Sequence, residues 1–198
     1  QSGSIIRYMT DNGLNGNEYI LHISAILEDL KFSDDPAKRF EKALHDATSA
    51  IGIASSRPEI QFGGKAPDNL LAFSNSEYVI IECKSRTTTE KISKADCGQL
   101  LSSIQWFKNS YILGEKYTPI MIHNSDTFQT EASPSPDMRI MKPRLLDEFS
   151  QAIQGFAEGA VKNGVLGNSK EIERLLNSFN LNGSQIINKY TKSFYKDR

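Results

Sequence analysis

Two acidic residues and one lysine stand where two strand-like segments would meet, and their types suit the binding of a divalent cation. Asp68 opens the apolar segment 68–73. Glu82 and Lys84 close the segment 78–84, which is rich in β-branched and aromatic residues. Because side chains alternate between the faces of a strand, Glu82 and Lys84 lie on the same face. Two charges at the end of a core-like strand are costly unless they are paired or bind something.

The two carboxylates are predicted to be neighbours. In an antiparallel hairpin, the start of the first strand, with Asp68, lies beside the end of the second, with Glu82. Neighbouring carboxylates repel each other unless a cation lies between them. Hard oxygen ligands with room for water suit Mg²⁺ or Mn²⁺, and the carbonyl group of Cys83 could supply a further oxygen. The spacing therefore predicts a divalent-cation site at Asp68, Glu82 and Cys83.

Helices and strands with regular patterning surround this pair of segments. Ser33-Asp34-Asp35-Pro36 is a helix start signal, and apolar residues recur after it at spacings of three and four. The patterns up to residue 123 predict helices at 14–31 and 36–52, strands at 59–62, 68–73 and 78–84, a helix at 91–113 and a strand at 117–123. Turns at Gly63-Gly64 and Asn75-Ser76 make the first three strands an antiparallel meander. The crossover helix before the last strand implies a parallel pairing.

The rest of the chain is predicted to be a loop followed by helices. Residues 124–143 are rich in Ser, Pro and Asp, and helical patterns follow at 143–162, 169–178 and 184–195. The predicted fold class is α/β, a small mixed β-sheet flanked by helices with a C-terminal helical extension. The predicted parts are an N-terminal helical segment at 1–33, a core at 34–123, and a loop with helices packed on that core at 124–198.

These motifs resemble the PD-(D/E)XK superfamily of nucleases, which includes restriction endonucleases and Holliday-junction resolvases. Pro67-Asp68 matches the PD element, and Glu82-Cys83-Lys84 matches the E-x-K element. The spacing across a short hairpin also fits. The resemblance covers about residues 36–123, and it implies a restriction-endonuclease-like core.

The resemblance adds two residues to the expected site. The family typically carries an acid on the helix before the sheet, where Glu41 is the natural match, and Glu59 and Asp46 are rival acids for that role. Many members carry a polar residue, often Gln, on the helix after the E-x-K strand, and Gln99 stands there. Ser103 stands where the RecB-type Q-x-x-x-Y signature needs a Tyr, so that signature is not met.

The activity that the resemblance implies is metal-dependent hydrolysis of phosphodiester bonds by an endonuclease. Asp68 and Glu82 would hold one Mg²⁺ or Mn²⁺, and Glu41 would steer it or a second ion. Lys84 would orient or deprotonate the attacking water, but beside two carboxylates it is expected to stay charged and to stabilise the phosphate. DNA is the expected substrate because most of the family cuts DNA, and RNA stays open. The products would carry 5′-phosphate and 3′-hydroxyl ends.

Composition limits the partners and the setting. Hydrophobic residues make up 38% and charged residues 24%, an ordinary globular balance, and no apolar run reaches membrane-spanning length. With only two cysteines and no signal peptide visible, a cytoplasmic setting is expected. Because the net charge is −1, DNA contacts must come from a local patch. One such patch consists of Lys189, Lys192, Lys196 and Arg198, with a frayed, solvated tail as the alternative.

The first residues of the sequence and the expected cleavage reaction each suggest an assembly. The chain begins Gln1-Ser2-Gly3-Ser4 without Met, which suggests a piece of a larger multidomain protein or of a restriction, phage-defence or repair complex. Cutting both strands of a duplex would favour a homodimer.

Three alternatives stay open at this point. One is a nuclease-like fold used only for nucleic-acid binding or assembly, and another is a transposase or resolvase subunit that depends on its partners. In the third, the motif has no chemistry: Asp68 is a turn residue after Pro67, and Glu82 with Lys84 is a solvated edge-strand pair.

Overall fold

The structure, a computed structural model, describes residues 1–73, 76–111 and 115–196. The helices are α1 (Ser2–Asp11), α2 (Gly16–Asp29), α3 (Ala37–Ala50), α4 (Pro58–Phe62), α5 (Lys94–Ser110), α6 (Pro143–Lys162), α7 (Ser169–Ser178) and α8 (Ser184–Tyr190), with a 3₁₀ turn at Val165–Gly167. The strands are β1 (Ala54–Ser56), β2 (Asn69–Phe73), β3 (Glu77–Cys83), β4 (Lys116–Ile122), β5 (Thr127–Phe128), β6 (Arg139–Met141) and β7 (Tyr195–Lys196).

Five strands form one mixed sheet in the order β1-β2-β3-β4-β6. The pairs β1–β2 and β2–β3 are antiparallel, whereas β3–β4 and β4–β6 are parallel. A second sheet joins β5 and β7 in parallel. The chain is therefore a mixed α/β protein in which helices flank a small mixed sheet. The parallel pairing of β3 with β4 confirms the prediction made from the crossover helix, which is α5.

β3 lies between two hydrophobic clusters. Val79, Ile81 and Cys83 belong to the larger cluster, with residues of α1–α3 and α6–α8. Ile80 belongs to the smaller cluster, with residues of α5. The predicted alternation of faces is confirmed, and it places Glu82 on the side of α5, where Ser103 contacts it. The larger cluster contains residues from Ile5 to Tyr190 and includes Val79 and Ile81 of β3. Its helices therefore pack on one face of the sheet.

The predicted strand at 59–62 is wrong, because these residues lie in α4. Pro58 occupies the first helical turn, where its fixed φ is favourable and its missing N–H is no loss. The first strand of the meander is β1, which pairs with β2 from Ala54 opposite Ala72 to Ser56 opposite Leu70. The antiparallel order of three strands is thus as predicted, but a short helix inserted between β1 and β2 carries Glu59.

Several other boundaries differ from the prediction. The predicted N-terminal helical segment at 1–33 contains two helices, because α1, which packs Ile5, Tyr8 and Met9 against the core, precedes the helix predicted from residue 14. The expected loop at 124–143 contains β5 and β6, and three-residue β6 exists through its pairing with β4, which local patterning does not reveal. The helix predicted at 91–113 is α5, and residues 112–114, like Asn75 of the predicted turn, lie outside the described residues.

Lys192 of the expected basic patch is held against the sheet rather than frayed. The helix predicted at 184–195 ends at Tyr190. Lys192 exchanges backbone hydrogen bonds with Ile140, and its side chain forms an ion pair with Asp126. Arg198 of the expected basic patch lies outside the described residues. Among the helices that the structure describes, none combines the length and apolar character needed to cross a membrane.

The turn that ends α3 gives a test of this architecture. Gly52 has φ +80°, and a Cβ there would stand 2.3 Å from the backbone oxygen of Gln1. We expect Gly52→Ala to lower the free energy of unfolding by about 2 kcal/mol or more, measured by urea denaturation.

Gly98 provides the matched control, because a Cβ at this position inside α5 meets no described atom within 4 Å. Gly98→Ala should raise the free energy of unfolding by roughly 0.5–1 kcal/mol, since alanine is the better helix former. The described turn would be contradicted if the two variants had equal stability.

Candidate metal centre

Three acidic side chains from three different elements meet at the start of β2. Glu41 of α3, Glu59 of α4 and Asp68, just before β2, each offer a carboxylate oxygen, and these oxygens all lie within 4.8 Å of one another. Glu41 and Asp68 are buried, and Glu59 is half-buried. Three carboxylates in such proximity repel one another unless a cation neutralises them. This acidic triad could therefore bind a metal ion.

Local structure explains how the acids come together. The apolar stripe of α3 packs on the sheet and turns Glu41 inward beside Phe40, and the carbonyl oxygen of Glu41 accepts a hydrogen bond from Asn69 Nδ2 at 3.1 Å. The amide of Glu59 donates to the carbonyl oxygen of Pro67 at 3.2 Å. α3 and α4 are thus each tied by a hydrogen bond to the residues on either side of Asp68.

Asp68 is bound to the end of β3. Its Oδ2 accepts a hydrogen bond from the backbone N–H of Cys83 at 2.7 Å, which continues the β2–β3 ladder beyond the pair Asn69–Ile81. Burial, followed by the negative charge of Glu82, raises the pKa of Asp68 to about 8. Without a cation the carboxyl group therefore holds a proton at neutral pH, and a bound cation would favour its ionised form.

Glu82 lies between two polar partners, Ser103 and Lys84. The hydroxyl group of Ser103 donates to Glu82 Oε1 at 2.6 Å, and Lys84 Nζ lies 3.6 Å from Glu82 Oε2. Burial raises the pKa of Glu82, and its contacts with Ser103 and Lys84 act in the opposite direction. Among the described residues, the group of acids within 4.8 Å contains Glu59 and does not contain Glu82. Both oxygens of Glu82 already have protein partners.

A half-buried arginine compensates the charge of Glu41. Arg57 Nη2 lies 2.8 Å from Glu41 Oε2, and the two side chains are 16% and 6% exposed. The same Nη2 contacts the carbonyl oxygen of Lys38 at 3.3 Å. Sequence reasoning did not find Arg57, because an arginine before a proline carries no signal of a partner sixteen residues earlier.

The remaining predicted residues do not all contact the acids. Gln99 is exposed on α5, whereas Ser103, one turn later, faces Glu82. The side chain of Cys83 lies in the larger hydrophobic cluster, and its amide is the group that contacts Asp68. Of the two rival acids, Glu59 joins the triad, and Asp46 forms an ion pair with Lys42.

The apolar spacing of α5 could have identified Ser103. The buried residues of this helix recur at intervals of three or four, and Ser103 falls within that series: Cys97, Leu100, Ser103, Ile104 and Phe107. A polar residue on the buried stripe of a helix needs a hydrogen-bonding partner. Ser103 was therefore the polar residue of α5 with the strongest reason to face the end of β3.

Comparisons with protein-family models, with curated proteins and with solved structures give no match to this chain. The chemistry of the centre follows from its own residues. Carboxylate oxygens are the ligands that hard divalent cations prefer, and Glu59 of the triad is partly exposed.

The raised pKa of Asp68 predicts how stability changes with pH. Between its ordinary pKa of 3.8 and about 8, the folded protein holds a proton that the unfolded chain has lost. The stabilisation is complete below the lower value and is lost as the pH rises through the higher one. In EDTA, we expect Asp68→Asn to be more stable than the wild type at pH 9, by roughly 1–3 kcal/mol, with a smaller difference at pH 5.

Asp126 supplies a control of opposite sign in the same urea titrations. Although burial acts the other way, its contacts with Lys192 and Lys142 lower the pKa of Asp126. Its stabilisation is present above the ordinary pKa and is lost at acidic pH. Asp126→Asn should therefore destabilise the protein at neutral pH. Equal stability changes for Asp68→Asn at pH 5 and pH 9 would show that Asp68 is not protonated as described.

Proposed function

We propose that the protein is a metal-dependent nuclease that hydrolyses phosphodiester bonds in DNA. The observation that carries this proposal is the meeting of Glu41, Glu59 and Asp68 within 4.8 Å of one another. Lys84 supports it, because its ammonium group lies at the end of the strand that hydrogen-bonds to Asp68. The resemblance of Pro67-Asp68 and Glu82-Cys83-Lys84 to the PD and E-x-K elements gives the reaction class.

Glu41, Glu59 and Asp68 would hold the cation, for which Mg²⁺ or Mn²⁺ is proposed. When bound, the ion supplies Lewis-acid polarisation of the scissile phosphate and neutralises the charge that develops on it. Relative to the sequence prediction, Glu59 takes the ligand position expected of Glu82. Arg57 keeps Glu41 in place and offsets part of the negative charge of the triad.

Glu82 would act by holding Lys84. The hydroxyl of Ser103 fixes one oxygen of Glu82, and the other lies 3.6 Å from Lys84 Nζ. The role of Lys84 would be to donate hydrogen bonds to a phosphate oxygen and to stabilise its negative charge.

The proposal is tested by cleavage of plasmid, linear duplex, single-stranded DNA and RNA in Mg²⁺, Mn²⁺ or EDTA. We expect cleavage that requires the cation and that falls at least about 100-fold in Asp68→Asn and in Glu59→Gln, because each variant removes a charged ligand. Asp46→Asn is the matched control, since Asp46 lies on the same helix as Glu41 but pairs with Lys42. Cleavage that persists in EDTA, or full activity in Asp68→Asn, would refute the proposal.

A second test concerns the residue of α5 that supports the reaction. Ser103→Ala removes the donor to Glu82 Oε1, and loss of such a supporting contact typically costs about 10–100-fold in activity. Gln99→Ala should leave the rate unchanged, because Gln99 is exposed one turn away. Ser103→Thr, which keeps the hydroxyl group, should retain more activity than Ser103→Ala. The reverse order, with Gln99 essential and Ser103 dispensable, would contradict the proposed role of Glu82.

A further inference from the structure

Two aromatic rings on the surface form what we call the aromatic platform, which consists of Phe62 and Trp106. Phe62 is the last residue of α4 and is 63% exposed, and Trp106 is a half-buried residue of α5. Their ring centroids lie 5.5 Å apart, with an angle of 43° between the planes. The pair therefore presents aromatic surface from two different helices to the solvent.

The platform is connected to the acidic triad through α4 and to Glu82 through α5. On α4, Phe62 follows Glu59 of the triad by three residues, and on α5, Trp106 follows Ser103, the donor to Glu82, by three residues. Residues three apart on a helix are surface neighbours, with roughly 5–6 Å between their Cβ atoms. Phe62 therefore lies about one helical turn from Glu59, and Trp106 lies about one turn from the residue that contacts Glu82.

The platform has a rigid support beneath it. The ring of Trp106 lies 6.3 Å from that of Tyr111, which stacks on Phe107 at 4.6 Å and 16°. Phe107 is 2% exposed and belongs to the core cluster between α5 and the sheet. An exposed ring on such a support loses little conformational entropy when it binds a flat ligand.

Exposed cations follow the platform and the E-x-K segment in the sequence. Lys65 is exposed three residues after Phe62, and Arg86 is exposed two residues after Lys84. Aromatic faces combined with nearby cations are the usual arrangement for binding single-stranded nucleic acid, in which bases stack on rings and phosphates contact Lys and Arg. A base within a duplex presents only its edges, because both of its faces are covered by its neighbours.

We propose that the aromatic platform stacks an unpaired nucleobase of the strand whose phosphate lies at the acidic triad. The substrate would therefore be single-stranded, or locally unpaired, at the point of cleavage. This inference rests on the proposed nuclease function and deepens it by naming the form of the substrate.

Binding can be tested without cleavage, because Trp106 is the only tryptophan in the chain. Its fluorescence is followed in EDTA while a short single-stranded oligothymidine or a blunt duplex of the same length is added. We expect quenching by the single strand, and affinity about 10-fold weaker in Phe62→Ala, because stacking contributes about 1–3 kcal/mol per base. Phe62→Tyr keeps the ring and should restore the affinity.

Leu21→Ala is the control for loss of exposed apolar surface, since Leu21 is 69% exposed on α2, outside the two helices of the platform. Its affinity for the single strand should equal that of the wild type. In the cleavage assay, Phe62→Ala should lose activity on single-stranded or splayed substrates by a similar factor of about 10.

Three results would overturn the inference. They are absence of quenching, equal affinity for single strand and duplex, and a self-association of the protein that Phe62→Ala abolishes in sedimentation experiments. None of these measurements depends on catalysis. Each could therefore occur in a protein that still shows metal-dependent cleavage and loses it in Asp68→Asn. Conversely, quenching by single strands in a protein that cleaves nothing would support the platform and refute the nuclease.

Discussion

The hydrogen bond from the amide of Cys83 to Asp68 Oδ2 is the contact on which the rest of the site depends. It joins the start of β2 to the end of β3, so that a carboxylate from one strand lies beside the E-x-K segment of the next. The flanking residues Pro67 and Asn69 then bind α4 and α3 through one hydrogen bond each. Three separate elements are thereby positioned around a single buried carboxyl group.

Burial of these acids creates an electrostatic cost that the fold offsets only in part. Arg57 pairs with Glu41, and Lys84 with Ser103 engages Glu82. Asp68 accepts a hydrogen bond from a backbone amide, and burial raises its pKa to about 8. A metal ion bound at such a site would stabilise the folded protein, because it would supply positive charge that the acids lack.

The short helix α4 links the acidic triad to the molecular surface. It begins at Pro58, contributes Glu59 to the triad, and ends at Phe62 on the aromatic platform. The tie between Glu59 and Pro67 therefore positions an acid and an exposed ring together. α4 therefore carries one acid of the triad and one ring of the platform within five residues.

The sequence by itself determined the hairpin of β2 and β3, the sharing of one face by Glu82 and Lys84, and the parallel crossover through α5. These depend on period-two and period-3.6 patterning and on short connections, which are local. Only the tertiary structure decided that Glu59 joins the triad, that Arg57 pairs with Glu41, and that Ser103 faces Glu82. Those contacts depend on how α3, α4 and α5 are rotated and placed against the sheet, and packing of the whole core, including β6 and α6, sets that placement.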